Sequence, residues 1–429
     1  MEIRIISREI IKPSSPTPNH LRSHKLSPMD LFVRESYFSF VLYYSGACKN
    51  AINNSSDHLK KSLSKTLTYY YPFAGRVKDG VSVDCDDYGA TFVEAKVAGD
   101  MSELLKQPEM ELLGQLRPYN PEEMLRAQVN LAVQANYFDC GGVAISFYFR
   151  HVIADGPAAA NFIKNWGKVA CGADDIKDVV FDFTSSSFPP QISSFKITPQ
   201  AIDNLSKEPV SKRFVFDGSK IAALREKIGN QATRFEAVTA LIWGAMMASS
   251  KEERDHESNN RTQFAIIFAI NLRKKMNPPL PEQCMGSVCT LGMTYWPTQE
   301  TFNYNKLAGK VHGLIGIVDD YVRKGFENGW LNLIMDYSGI DPKSSETRTI
   351  SVSSFLRHPF YEADFGWGKP IWVSISSELL KDTFNLLDTS DGKGVEAWVG
   401  LSKEHMAKFE QDPGILAYAS SIPTVYKSL

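Results

Sequence analysis

The sequence predicts strands and helices arranged in two halves, joined by a long crossover, with a site in the cleft between the halves. Three observations lead there. The chain has 429 residues, enough for two or three domains. Strand and helix patterns recur on both sides of the middle. From about 173 to 212 the pattern loosens into a stretch rich in Ser, Pro and charge, with no sustained period. A cleft between two halves is the default place for a small-molecule site.

The elements follow in order. KPSSPTP at 12–18 holds too much proline for a helix or a central strand and reads as an extended lead-in. His58, Leu59, Leu63 and Leu67 share a helical face, and the helix ends at Tyr71-Pro72 because proline disfavours helix before it. VSVDCDDYGATFVEA then reads as strand, turn and strand, a solvated hairpin whose turn carries Asp84, Asp86 and Asp87. VAISFYFR at 143–150 alternates as a strand, with Val143, Ile145, Phe147 and Phe149 on one face. After it Asp155 is a helix N-cap, Pro157 sits in the first turn, Phe162, Ile163, Trp166 and Val169 form the buried stripe, and Gly172 stops the helix. Beyond the crossover come a strand, a turn at Asp217-Gly218, a helix with Ile221, Leu224 and Ile228 inward, and a second helix capped by Thr233 with Glu236 as its capping-box partner.

Bulk properties exclude several functions. Hydrophobic residues at 43% and charged residues at 22% suit a globular chain with a sizeable core. Forty-seven Lys and Arg against 49 Asp and Glu give a charge of -2, so neither nucleic acid nor an anionic membrane is an expected partner. No apolar run is long enough to span a membrane and Met1–Ile11 lacks the apolar stretch of a signal peptide, so a cytoplasmic protein is expected. The six cysteines are scattered; Cys284 and Cys289 read as core thiols, and no metal site is expected.

His151 continues the odd-numbered face of the 143–150 strand and therefore points inward. Asp155, four residues on, would face it if both lay on one helix, as in a His–Asp relay. The strand-then-cap reading separates them and makes Asp155 the residue that fixes the backbone presenting His151. An inward histidine is more often a satisfied core residue than a catalyst, so a second signal is needed. DFGWG at 364–368 supplies one: two glycines around Trp367 permit a tight turn and a close approach.

HVIADG at 151–156 and DFGWG at 364–368, on opposite sides of the crossover, together resemble the BAHD acyltransferase family of plants. SLSKTLTYYYPFAGR, FDCGG, SKRFVFD, TRFEAVTALIW and NLRKKMNPPLP extend the resemblance over nearly the whole chain, in wording similar to the alkaloid-acetylating branch. The resemblance implies an α/β fold of two mixed-sheet domains of similar size, with chloramphenicol-acetyltransferase-like halves and a channel between them. It places an N-terminal domain at 1–185, the crossover at 186–212 and a C-terminal domain at 213–429.

It also implies the chemistry. The expected reaction is transfer of acetyl from acetyl-CoA, or of another acyl group from its acyl-CoA, to a hydroxyl of an alkaloid or related plant metabolite. Acyl-CoA is a co-substrate and no permanent cofactor is expected; the partners are that thioester and a small alcohol, and the protein is expected to be a monomer. The catalytic assignments are His151, as general base, and Asp364, as the residue that builds the DFGWG turn. Asp155, paired with Arg273, is structural, as are Gly366 and Trp367. Thr233, Lys274 and Ser287 are the candidate coenzyme A contacts, by their position in family-like blocks. Two departures are visible: Phe355 stands where a Trp is usual before DFGWG, and Arg150 replaces a small or polar residue before the histidine. The alternatives are an amine acceptor, or a non-catalytic binding protein of the same fold; a serine hydrolase would need a G-x-S-x-G elbow, which is absent.

Overall fold

The computed structural model describes residues 1–33, 36–45, 52–173, 176, 179–181, 209–229, 231–250, 263–297, 300–324 and 347–420. The crossover expected at 186–212 lies outside the described residues as far as 208. Among the described residues fifteen strands are formed: β1 (Ile3–Ile11), β2 (Ser23–Lys25), β3 (Tyr37–Tyr44), β4 (Arg76–Lys78), β5 (Ser82–Asp84), β6 (Ala90–Val97), β7 (Leu131–Phe138), β8 (Val143–Arg150), β9 (Val210–Phe216), β10 (Gln263–Asn271), β11 (Cys289–Pro297), β12 (Thr347–Ser354), β13 (Trp372–Ser374), β14 (Thr383–Asp388) and β15 (Val395–Leu401).

They build two six-stranded mixed sheets and one small sheet. The first runs β1-β6-β7-β8-β3-β13, the second β11-β10-β12-β14-β15-β9, and the third β2-β5-β4. Each large sheet has its own apolar core, so the architecture is two mixed-sheet α/β domains. No helix among the described residues is long and apolar enough to cross a membrane.

β7 and β8 lie in the middle of the first sheet. All eight residues of each strand are buried, because both faces are covered. On the odd-numbered face of β8, Phe147 packs on Trp166 and Phe149 on Phe162, with ring centroids 5.8 Å apart in both pairs. Those partners are the stripe of the helix Gly156–Ala170, so strand and helix bury each other.

The expected hairpin at 81–95 is not one. β5 pairs with β2 and β4 in the small sheet, whereas β6 pairs with β1 and runs parallel to β7. The aspartates between them anchor the lead-in: Asp87 accepts from the Thr17 hydroxyl at 2.6 Å and from Arg22 at 3.2 Å. Local period identified both strands, but their partners lie elsewhere in the chain.

In the second domain the capping box at Thr233 and Glu236 starts the helix Arg234–Ser249, most of whose residues are buried. It is apolar on nearly every side because it packs against the helices Gly218–Ile228, Tyr304–Arg323 and Lys403–Glu410 and shares one core with the sheet. The domains are also joined. β13, from the later half, pairs antiparallel with β3 of the first sheet, Trp372 opposite Tyr43. The Trp372 indole donates to the Glu396 carboxylate at 3.0 Å, and Arg213 Nε donates to the same carboxylate at 2.6 Å. A strand of one sheet is thereby fastened to two strands of the other.

Candidate active site

β8 ends at Arg150 and the chain turns sharply. His151 N–H donates to Ser36 O at 2.8 Å and Ile153 N–H to Arg150 O at 3.0 Å, which folds 150–153 into a turn. Asp155 then caps the helix Gly156–Ala170, accepting from Ala158 N–H at 3.0 Å. His151 and Asp155 thus belong to a turn and a cap, not to one helix.

Asp155 receives more than the cap. Arg273 reaches it from just beyond β10 with both arms of the guanidinium, Nη1 to Oδ2 at 2.7 Å and Nη2 to Oδ1 at 2.9 Å. Val288 N–H adds a fourth bond at 3.0 Å. Both side chains are almost fully buried. The guanidinium also donates to the carbonyls of Cys284 and Gly286 and to the Asn271 side-chain oxygen, so the charge is enclosed by acceptors. One carboxylate therefore fixes the turn of the first domain against the 284–288 loop of the second.

A second buried acid, which sequence reasoning did not single out, holds the same loop. Asp30 Oδ1 accepts from Ser287 N–H at 2.6 Å, and Oδ2 accepts from Ser27 N–H at 2.7 Å within a capping box. Burial pushes its carboxyl up to about 6, against the Ser27 and Ser287 hydrogen bonds, with the Asp155 charge adding to the rise. Gly286 passes so close that a Cβ there would meet Asp30 Oδ1 at 2.9 Å, and its φ is +87°. The signal available in the sequence was Ser27-Pro28-Met29-Asp30, a readable capping box; the reach of its acid to Ser287 was not readable.

Ser287 lies differently from its expected place as a coenzyme A contact. It is fully buried, and its hydroxyl donates to the backbone carbonyl of His151 at 3.3 Å. It supports the histidine's backbone. Thr233 is exposed and its hydroxyl caps a helix, accepting from Glu236 N–H at 3.2 Å. Lys274 is exposed and paired with Glu282 at 2.7 Å, and Lys275 is paired with Asp319. All three residues of the run at 273–275 form ion pairs, and Lys274 is the exposed one.

The His151 ring sits edge-on to Phe38, centroids 4.9 Å apart. Its Nδ1 is buried and has no hydrogen-bond partner among the described residues. Burial holds the imidazole below its usual range, opposed by its own backbone carbonyl and by Asp155. The ring is a neutral base at pH 7.

Asp364 is elsewhere. Its Oδ1 accepts from Gly366 N–H at 2.8 Å and Gly368 N–H at 2.9 Å, which closes the DFGWG turn; both glycines have positive φ, +92° and +87°. The turn lies against Gly167, where a Cβ would stand 2.8 Å from Asp364 O. Gly167 is about 16 Å along the helix from Gly156, at 1.5 Å per residue. Asp364 thus builds the DFGWG turn at the other end of the helix from Gly156. Trp367 packs there on Tyr44, at 5.7 Å. Phe355 is half-buried, edge-on to Phe40 at 4.9 Å, and Arg150 is buried at the end of β8.

Cys284 and Cys289 flank the Asp155–Arg273 pair, and burial raises their thiols to about 11 and about 12. They are neutral core thiols. An open cleft of about 570 Å³ on the seam between the domains, lined by Glu111, Lys212, Arg213 and Trp398 among others, includes none of the motif residues.

A turn-borne neutral histidine between two mixed-sheet domains, braced by an Asp–Arg pair from opposite domains, defines the class. Residues 1–416 match the family described as the Transferase family, and the chain belongs to it, as a plant BAHD acyltransferase. Among its relatives is the epi-neemfruitin B synthase L1AT of Melia azedarach, 50% identical over 98% of this chain and 99% of that one. Another is the limonoid 1-O-acetyltransferase of Citrus sinensis, 48% identical over the same shares of the two chains. The crystal structure of vinorine synthase superposes with a TM-score of 0.84 at 32% identity, covering 98% of this chain and 99% of that one.

Proposed function

We propose that this protein transfers acetyl from acetyl-CoA to a hydroxyl of a limonoid-type alcohol, with His151 as the general base. The observation that carries the reading is the His151 ring itself: inward, neutral, and held by a turn that Asp155, Arg273 and Ser287 fix from both domains. With Nδ1 buried, Nε2 is the nitrogen left to meet the acceptor. It takes the hydroxyl proton as the oxygen attacks the thioester carbonyl; the tetrahedral intermediate then breaks its C–S bond, and the leaving thiolate takes the proton from the imidazolium. Such general-base assistance contributes about 10²–10⁴-fold. A direct transfer in a ternary complex is favoured because the nearby Ser287 hydroxyl is committed to a carbonyl and the Cys284 and Cys289 thiols are held protonated.

The acceptor class follows the relatives. Wording near HVIADG and DFGWG suggested alkaloids, but identity rises from 32% with vinorine synthase to 48% with the limonoid enzyme, which favours a limonoid alcohol. The test is purified protein with acetyl-CoA and a panel of limonoid and alkaloid alcohols, following thiol release and acetyl mass gain. Acceptor-dependent release with limonoids is expected, and His151→Ala is expected to abolish it while coenzyme A binding, measured by calorimetry, stays intact. Turnover retained in that variant removes His151 as base; thiol release without any acceptor makes the enzyme a thioester hydrolase.

A further inference from the structure

The turn before DFGWG brings a second histidine to the same loop. His358 N–H donates to Phe355 O at 3.3 Å, with Leu356 and Arg357 at the corner. Arg357 has φ +64°, a conformation that glycine normally supplies at this position of a turn and that costs another residue about 1 kcal/mol. It is held there: its N–H donates to the Asp388 carboxylate, which Arg234 grips at 2.9 Å, and Phe355 N–H donates to Leu386 O at 2.8 Å. Surroundings that over-determine a strained residue are characteristic of ligand clamps. Here they aim an imidazole.

His358 Nδ1 lies 3.1 Å from Leu356 O. A carbonyl only accepts, so Nδ1 carries the ring proton and Nε2 is left with a lone pair. That Nε2 has no hydrogen-bond partner among the described residues. It stands beside Gly156, the residue after Asp155: a Cβ there would be 3.2 Å from Nε2 and 3.0 Å from the Phe355 ring. The two histidines share one aromatic wall. Phe38 packs on His151 and on Phe40, Phe40 on Phe355, and Phe355 on His358, with centroids from 4.9 to 6.0 Å apart. Burial keeps His358 below the usual imidazole range, and it feels both Asp155 and Arg273. It remains a neutral acceptor at pH 7.

We propose that His358 Nε2 accepts a hydrogen bond from a second hydroxyl of the acceptor, one that is not acetylated, so that the enzyme selects polyhydroxylated substrates. The proposal rests on the reading of His151 as base. An aromatic wall selects shape; a single lone pair at a fixed place selects a donor and sets which hydroxyl reaches His151.

The experiment compares a limonoid diol that the wild type acetylates at one hydroxyl with the same molecule O-methylated at the other. The wild type is expected to prefer the diol by about tenfold in kcat/KM, the effect of one satisfied hydrogen bond at a buried site. His358→Phe, which fills the space without an acceptor, is expected to bring the diol down to the ether through KM. His358→Gln, whose amide oxygen accepts, is expected to recover part of the preference, and KM for acetyl-CoA and the melting temperature report that all three proteins are folded. A preference undiminished in His358→Phe, or absent from the wild type, overturns the proposal. A wild type that acetylates no limonoid alcohol, or a His151→Ala variant that still turns over, overturns the function itself and the proposal with it.

Discussion

Asp155 of the first domain and Arg273 of the second meet in a two-pronged ion pair, at 2.7 and 2.9 Å, with neither side chain more than 5% exposed. Removing one partner leaves a buried charge uncompensated, at a cost of about 3–5 kcal/mol. Arg273→Ala is therefore expected to unfold at markedly lower urea. Arg273→Lys, which keeps the charge but cannot fork, should fall between. Unchanged midpoints would show that the pair holds nothing.

The His151 shift predicts the acid limb of the rate profile. Burial lowers its imidazole below the usual 6.5, so the neutral base persists to lower pH. In the free enzyme kcat/KM should rise with an apparent pKa below 6.5 and level off above it. Linkage has the matching sign: a folded-state value below the unfolded one gives stability that is present above about 6.5 and lost as pH falls through the folded value. A limb centred above 7 would assign the titration to another group.

Asp30 has the opposite sign. Its folded value of about 6 stands above the usual 3.8, so the folded protein binds the extra proton between them. The stability this contributes is full below about 3.8 and lost as pH rises through about 6, on the order of 3 kcal/mol at 1.36 kcal/mol per unit. Asp30→Asn removes the dependence. Relative to the wild type, that variant should gain unfolding free energy between pH 4.5 and 7, measured in urea; parallel curves would contradict the burial argument.

Ser287→Ala tests the support beneath His151. Loss of the bond to His151 O should lower kcat several-fold with KM for acetyl-CoA unchanged, since a positioned group loses geometry before affinity. An effect on acetyl-CoA KM alone would return Ser287 to the coenzyme A contacts.

Asp364 separates bracing from chemistry. Asp364→Asn keeps an oxygen for the Gly366 and Gly368 amides and should retain most activity and stability, whereas Asp364→Ala loses both bonds, about 1–2 kcal/mol. Gly167→Ala should do similar damage from the helix side, where its Cβ meets the Asp364 backbone. A dead, folded Asp364→Asn enzyme would restore a catalytic role.

Much of the first domain's site was legible because it is local. A strand of alternating residues, a cap and a stripe put His151 and Asp155 within five residues of one another on different elements. What decided the rest is non-local. The Ser287 hydroxyl reaches the His151 carbonyl and the Thr233 hydroxyl caps a helix, partners that lie beyond what a sequence can show for the first and within it for the second. Lys274 and Lys275 look like a basic face until Glu282 and Asp319 fold beside them. Asp30 reaches across the domains, and no period in the sequence records that. The pairing of 82–84 with other segments than 90–97 was hidden for the same reason: strands are written locally, partners are not.

The junction of β13 with β3 has a consequence for synthesis. β3 ends at Tyr44 and its last partner begins at Trp372. On a ribosome adding about 5–20 residues per second, the nascent first sheet keeps an open edge for on the order of 15–65 s after β3 emerges. An open edge recruits other strands. A transcript truncated before residue 372 would therefore yield an aggregating fragment, not a separable first domain, and the full chain depends on its last strands arriving before a neighbour's do.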